Sequence, residues 1–465
     1  MFKKSVHMLG IGGSAMSGLA GLISNKKWKV TGSDSALPYP PAKDILEKCG
    51  IKVMAPYSPQ NLPKKLSYCV IGNVIRKTNP EAIAATESGV KLLSMPQALW
   101  KWFMKKKKRI VVAGTHGKST TTGMLVYVLD RLGLDPGALV GGVLQNYGTN
   151  YRYGNGDYFV VEGDEYDTAY FDKEPKFMHY KPDFLVLTNI EYDHADIFPD
   201  LETILEWFRK LVAEVPENGI IIAPAEDENV AKILDAAKAK VVTYGLETGD
   251  VIPDYPKFSE KGTEFILTKD SWSIGEFQTS MIGRHNLRNT MAVMALLTEL
   301  ELYYDALPMA MQEYQGTRRR QEYIGKCNGA PVYDDFAHHP TAVIETILAF
   351  RQAFAGKRII TLFEAESNTS RRKVFQNEFV KAFSQADEVY FIPALKKADN
   401  LAENEKLDIN KVVEDIRANG IKAEMFPDVE ALAKHVKAIA DANSLVLLMS
   451  GRDFRGIQKL LITDK

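Results

Sequence analysis

The chain has 465 residues, a length suited to two to four domains, with 45% hydrophobic and 25% charged residues as in an ordinary globular protein. A net charge of −1 speaks against nucleic acid or an anionic membrane as the main partner, and no run approaches the ~20 apolar residues of a membrane span. Cys49, Cys69 and Cys327 are far apart and odd in number, which fits neither a disulfide framework nor a metal site and points to a reducing cytoplasm.

Lys3-Lys4 before an apolar stretch mimics a secretion leader, but the glycines that follow suit a strand, turn and helix better. Val6–Leu9 reads as the first strand, Gly10-Ile11-Gly12-Gly13-Ser14-Ala15 as a GxGxx[GA] turn, and Met16–Ser24 as a helix. Lys29–Asp34 reads as a second strand ending in an acid. Together these form a nucleotide-binding βαβ unit, with Asp34 placed for a ribose hydroxyl. Further strands are expected at 69–72 and 90–93, and the basic run Lys105–Arg109 reads as a solvated linker closing the first domain near residue 107.

A second α/β domain opens with the strand Arg109–Ala113 and the turn Gly114-Thr115-His116-Gly117-Lys118-Ser119-Thr120, with a helix expected over Thr120–Leu132. A glycine turn between strand and helix aims backbone N–H groups and the positive helix end at one point, which suits phosphate. Lys118 adds a mobile charge and Ser119 a hydroxyl for Mg²⁺. Val112 stands where the strict phosphate-loop pattern asks for Gly, so the loop is a variant. Strands are expected at 158–161, 184–187 and 219–222, an amphipathic helix at 201–212, short antiparallel strands near 263–283 and an apolar helix at 286–300. A second boundary falls near 316–325. Strands at 331–333, 358–362, 388–391 and 445–448 alternate with helices beyond it.

Two acidic clusters follow strands of the second domain, at 161–167 and 188–196, where ligands of parallel sheets collect. Glu162 is the candidate Mg²⁺ ligand and His194 a nitrogen ligand to a second ion. His285 and Asn289 are placed to stack on or bond a base, and the Arg318–Arg320 run to reach phosphates as another domain closes. Tyr333–Pro340 offers acids for a ribose and histidines near a reaction centre.

The set GTHGKSTT (114–121), VEGDEYD (161–167), NIEYDHAD (189–196), GRHNLRN (283–289), YQGTRRR (314–320) and DDFAHHPT (334–341) resembles the Mur ligase family, ATP-dependent amide-forming enzymes of peptidoglycan synthesis. The resemblance implies an α/β fold in three domains: a Rossmann-like domain (1–107) binding a UDP-sugar, a central phosphate-loop ATPase domain (108–321) and a Rossmann-like C-terminal domain (322–465) that binds the peptide and closes on ATP. GIGGSAMSG and GNVIRKTNPE resemble the branch whose first domain binds UDP-N-acetylmuramate, which puts Gly10, Gly12, Gly13, Ser14, Asp34, Asn73 and Arg76 at the sugar nucleotide. The resemblance assigns Gly114–Thr120, His285, Asn289, Arg319 and Asp335 to ATP. It assigns Ser119, Glu162 and His194 to Mg²⁺, and Lys118, His194, Arg319 and His338 to catalysis.

Within the family, one branch adds L-alanine and another joins UDP-N-acetylmuramate to L-alanyl-γ-D-glutamyl-meso-diaminopimelate in recycling. The runs 163–183, 193–201 and 334–343 look closer to the recycling branch. Ser367-Asn368-Thr369 is expected there for the peptide, although Ala365-Glu366 replaces the Pro-Arg expected ahead of it. Arg209 and Lys210 do not match the carbamylated lysine of several relatives, so no modified lysine is expected. The implied reaction activates the lactyl carboxylate as an acyl phosphate for attack by an amine. The expected partners are the sugar nucleotide and a murein peptide, with no nucleic acid or membrane, for a cytoplasmic monomer or weak homodimer. A nicotinamide oxidoreductase or a non-catalytic ATP switch leaves most of these motifs without a role.

Overall fold

The computed structural model describes residues 4–194, 197–302, 305–395 and 401–463, so Ala195 and Asp196 of the second acidic motif lie outside it. The chain forms two compact units, one of residues 1–190, 205–252 and 290–315, the other of 191–204, 253–289 and 316–465.

In the first unit, Ser5–Leu9 is the middle strand of a five-stranded parallel sheet in the order Val53–Met54, Lys29–Ser33, Ser5–Leu9, Tyr68–Ile71, Leu92–Ser94. Helix Ser14–Asn25 covers it with Leu19, Leu22 and Ile23 fully buried. One polar group interrupts this core. His7 Nε2 lies 2.5 Å from Glu81 Oε1, and His7 Nδ1 lies 2.8 Å from Thr31 Oγ1. Ser33 Oγ, the Ser58 N–H and Asn61 Nδ2 all donate to the Glu81 carboxylate. A buried carboxylate needs this many donors to offset lost hydration.

The phosphate-loop strand Lys108–Ala113 belongs to a second sheet. In this unit its order is Lys240–Tyr244, Ile220–Pro224, Phe184–Leu187, Lys108–Ala113, Tyr158–Gly163, Gly137–Leu144, Thr149–Arg152. All neighbours are parallel except the last hairpin. Sequence reasoning missed that hairpin, because Gly137, Gly141 and Gly142 dilute its strand signal. Ala113 pairs with both Gly163 and Leu187, so the strands feeding the two acidic motifs flank the one feeding the phosphate loop. Arg109 locks that register by donating its N–H and Nε to Asp183 Oδ2, each at 2.8 Å.

The second unit holds the antiparallel pair Gly262–Lys269 and Trp272–Thr279, expected from alternation in the sequence. It also holds a six-stranded sheet in the order Glu322–Cys327, Ala330–Asp335, Ser444–Ser450, Arg358–Glu364, Glu388–Ile392, Lys422–Met425. Helix Pro340–Ala353 packs Val343, Ile347 and Phe350 into its core.

The Glu81 carboxyl lies below its ordinary 4.5: burial pushes it up, but the bonds from His7, Ser33, Ser58 and Asn61 outweigh burial. A carboxyl depressed on folding stabilises above its unfolded value, and the contribution fades as pH falls through the folded one. Glu81→Ala is therefore expected to lower the melting temperature at neutral pH, with the gap to the parent narrowing below about 4.5. Thermal melts over that range check it, and a gap independent of pH would contradict it.

Candidate active site

The phosphate turn is shaped by close packing. Gly114 has φ +141° and Gly117 φ +81°. A Cβ on Gly114 would sit 2.2 Å from Thr188 Oγ1, so only glycine lets the turn lie against the strand end after Leu187. Asn189 pins the turn: its carbonyl accepts the Thr115 N–H at 2.9 Å and its Oδ1 the His116 N–H at 2.8 Å. Thr188 Oγ1 donates to the His116 carbonyl at 2.6 Å. Helix Lys118–Arg131 starts two residues earlier than expected and carries no side-chain cap, which leaves its N-terminal donors to an anion. Ser119 and Thr120 are buried in that first turn.

Lys118 folds back over the turn. Its Nζ donates to the Gly114 carbonyl at 2.5 Å and the Thr115 carbonyl at 3.1 Å, and pairs with Glu165 at 3.0 Å. Burial pulls the ammonium down, but the carboxylates of Glu165 and Glu162 more than reverse it, so it stays charged. Glu162, one residue from the end of the adjacent strand, lies in register with Val112 and accepts the Gly141 N–H at 2.7 Å. A serine hydroxyl in the helix turn and a carboxylate on the neighbouring strand are the hard oxygen donors that Mg²⁺ takes. Asp164 is spent on Lys176 at 2.5 Å; burial raises its carboxyl and Lys176 more than offsets that. Arg209 pairs with Asp235, and Lys210 lies 4.1 Å from the Trp207 ring centre.

In the N-terminal segment, the Gly12 N–H donates to Asp34 Oδ2 at 2.8 Å, and Tyr57 and the Ser35 N–H reach Oδ1. Gly10 and Gly13 close this turn through a 3.2 Å backbone bond. Ser14 Oγ donates to the Gly141 carbonyl at 2.6 Å. Asn73 and Arg76 lie exposed on the turn after Ile71.

In the second unit, His194 has φ +54° and its N–H donates to Asp193 Oδ1 at 2.6 Å. Thr369 Oγ1 also donates to Asp193, at 2.5 Å. Burial raises the Asp193 carboxyl, but His194, His338 and His339 with the Thr369 bond hold it far below the carboxylate range. His338 Nδ1 lies 2.8 Å from the Phe336 carbonyl, which places the proton on Nδ1. Ser367 bonds Ser370 at 2.8 Å and Asn368 is exposed. Arg319, at φ +59°, reaches Asp334 Oδ2 at 3.3 Å and the Ser450 carbonyl at 2.7 Å. Burial pushes the Asp334 carboxyl up to about 6, against the pull of Arg319. Asp335 accepts the N–H groups of Gln321 and Ala337 at 2.8 and 2.7 Å. Gln321 in turn lies 3.3 Å from His285 Nε2 and bonds Asn286, which accepts from Asn289 at 3.3 Å. Thus Gln321 joins His285, Asn289 and Asp335 into one chain.

Sequence reasoning missed Glu165, Asn189 and Gln321. Each sits inside or beside a quoted motif, but its role depends on a partner far along the chain. Gly114→Ala is expected to abolish the ATP-induced rise in melting temperature and to cost about 1–3 kcal/mol of stability through the clash with Thr188. Gly133→Ala, also at positive φ but with nothing within 4 Å of its Cβ, should keep the ATP response. Equal responses from both variants would refute the close-packing argument.

Three family models match in succession: Mur ligase family, catalytic domain, over residues 5–107; Mur ligase middle domain over 112–297; and Mur ligase, glutamate ligase domain, over 319–452. The chain is 36% identical to the UDP-N-acetylmuramate–L-alanyl-γ-D-glutamyl-meso-2,6-diaminoheptandioate ligase of Escherichia coli, over 98% of this chain and 97% of that one. It is 33% identical to the UDP-N-acetylmuramate–L-alanine ligase of Acetivibrio thermocellus, over 99% and 96%. The crystal structure of the UDP-N-acetylmuramate–alanine ligase of Thermotoga maritima superposes with a TM-score of 0.80 over 98% and 97% of the chains, at 24% identity a likeness of fold alone. With a phosphate turn built as above and family likeness running from end to end, this chain belongs to the Mur ligase family of ATP-dependent amide-forming enzymes, with that family's three-domain α/β architecture.

Proposed function

We propose that this ligase joins UDP-N-acetylmuramate to L-alanyl-γ-D-glutamyl-meso-diaminopimelate, with release of ADP and phosphate, in peptidoglycan recycling in the cytoplasm. The observation that carries the peptide acceptor is the run 163–183, which resembles the recycling branch. It folds as a hairpin, Asp167–Ala169 with Asp172–Pro175, tied by Asp164–Lys176 and by Asp172–His179 at 3.1 Å. Likeness to an alanine-adding relative at similar identity favours the second reading, free L-alanine as acceptor.

A carboxylate is a poor electrophile, so the lactyl carboxylate attacks the γ-phosphorus of ATP, the bond from that phosphorus to the β,γ-bridging oxygen breaks with its electron pair leaving on ADP, and the carboxylate becomes an acyl phosphate. The amine then attacks the acyl carbon, phosphate leaves with the C–O electron pair, and the amine's proton is lost. Lys118 and the N-terminus of helix Lys118–Arg131 hold the transferring phosphates, a task of positioning and electrostatics. Ser119 and Glu162, with His194, are the residues we assign to Mg²⁺, which when bound neutralises phosphate charge. We assign Arg319, His285, Asn289 and Asp335 to ATP, His338 to the reaction centre, and Ser367–Thr369 to the peptide. The glycine turn at Gly10–Ser14, with Asp34, Asn73 and Arg76, takes the sugar nucleotide. The domain boundaries near residues 107 and 321 belong to the same proposal.

Lys118→Ala is expected to cut ADP release by roughly 10²–10³-fold while UDP-N-acetylmuramate binding stays within about twofold. Equal loss of both, measured by coupled ADP assay and calorimetry, would contradict separate sites for the two nucleotides. ADP release should depend on the sugar nucleotide together with the tripeptide. Steady turnover with L-alanine and none with tripeptide would move the assignment to the alanine-adding reaction.

A further inference from the structure

The near-zero net charge conceals a division along the chain. Residues 1–109 carry 19 Lys and Arg against 5 Asp and Glu, leaving 39 against 54 for the rest. The five-stranded sheet shows where that excess sits. Its strands are all parallel, so their amino ends share one edge and their carboxyl ends the other. Every strand is entered through lysine: Lys4, Lys29, Lys52, Lys64-Lys65 and Lys91 stand at or just before the five strands, and all are exposed. The glycine turn and Asp34 lie at the carboxyl edge, so these lysines face away from the sugar-nucleotide site. Of the five acids, Asp34 is at that carboxyl edge and Glu81 is buried, whereas the exposed Glu47 and Glu87 stand at the ends of helices that lead back to the lysine edge and offset only part of its charge.

Half-buried aromatic rings lie among the cations. Trp28 and Tyr68 pack on Trp102 with ring centres 5.2 and 5.1 Å apart, and Lys4 Nζ sits 4.9 Å from the Trp28 ring. Lys105 and Lys181 flank Trp100 at 5.7 and 5.5 Å. The cations of residues 1–109 are 17 lysines and 2 arginines. Lysine is a hydrated point charge on a flexible stem, whereas bidentate reading of nucleic-acid phosphates favours arginine. Many lysines on one edge, with tryptophan and tyrosine beneath, match the diffuse charge and headgroup depth of a lipid surface.

We propose that the amino edge of the N-terminal sheet is a docking surface for an anionic lipid bilayer, holding the ligase reversibly at a membrane with its sugar-nucleotide turn facing away from the lipid. The inference does not depend on which amine the enzyme accepts. Sedimentation with vesicles of phosphatidylglycerol and phosphatidylcholine in roughly equal parts tests it. The full-length protein should bind these at least about tenfold more tightly than phosphatidylcholine alone, and lose the difference in ~0.5 M salt. The Lys29→Gln/Lys64→Gln/Lys65→Gln/Lys91→Gln variant should lose vesicle binding while keeping ADP release. If that variant fails to fold, Lys52→Gln/Lys91→Gln should show a partial loss in the same assay. Equal binding to both vesicles, undiminished binding by folded variants, or equally tight retention by duplex DNA or polyglutamate at the same salt would overturn the proposal.

Discussion

The turn Gly114–Thr120 is built around one charge that the fold has almost removed from water. The Lys118 side chain is 12% exposed, and an ammonium so placed persists only if anions and carbonyls replace its hydration. Glu165 and the carbonyls of Gly114 and Thr115 do so here. That same arrangement states what a nucleotide must do. Terminal phosphates brought to this turn would compete with Glu165 for the ammonium and would meet the charge of Glu162 as well. Anions meeting carboxylates repel, so the pocket is workable for a triphosphate only with a cation between them. A serine hydroxyl and a strand-end carboxylate next to the turn are the ligands such a cation would use.

Strand order converts distant sequence into that neighbourhood. Lys108–Ala113 lies between Phe184–Leu187 and Tyr158–Gly163, so residues separated by some fifty to eighty positions meet at one strand end. Arg109 and Asp183 fix the other end of the same strands, and a slip of one residue would turn Glu162 to the opposite face. The turn is then held by Asn189 from the flanking strand's loop, and the helix that follows starts without a side-chain cap.

The elements legible in the sequence are those whose chemistry is local. A glycine turn between an apolar strand and a helix announces itself within a dozen residues, and the structure places Lys118 and Ser119 in the first turn of that helix and Glu162 on the adjacent strand, as the local sequence implied. Glu165, Asn189 and Gln321 were not, because each works through a backbone group or side chain brought in by the fold. Gln321, for instance, donates its N–H to Asp335 and contacts His285, 36 positions away. The hairpin Gly137–Leu144 with Thr149–Arg152 escaped for another reason: its glycines carry no propensity, yet Gly141 supplies the N–H that orients Glu162 and the carbonyl that receives Ser14.

Two acids read from sequence as ribose ligands, Asp34 and Asp335, both accept backbone N–H groups in the structure. That use does not compete with the reading. A carboxylate has about four acceptor positions, and a single N–H on an oxygen leaves room for a hydroxyl on the same atom. Asp34 Oδ2 takes the Gly12 N–H alone among the bonds given above, and each oxygen of Asp335 takes one N–H. An acid at a strand end is the nearest acceptor for the donors that a turn exposes, so the turn orients it before any ligand arrives. A sugar hydroxyl that donates to such an oxygen finds it already fixed, and the ordering entropy has been met in folding. The acid at the end of a strand therefore serves the turn first, and a sugar hydroxyl donating to it would meet an oxygen already in place.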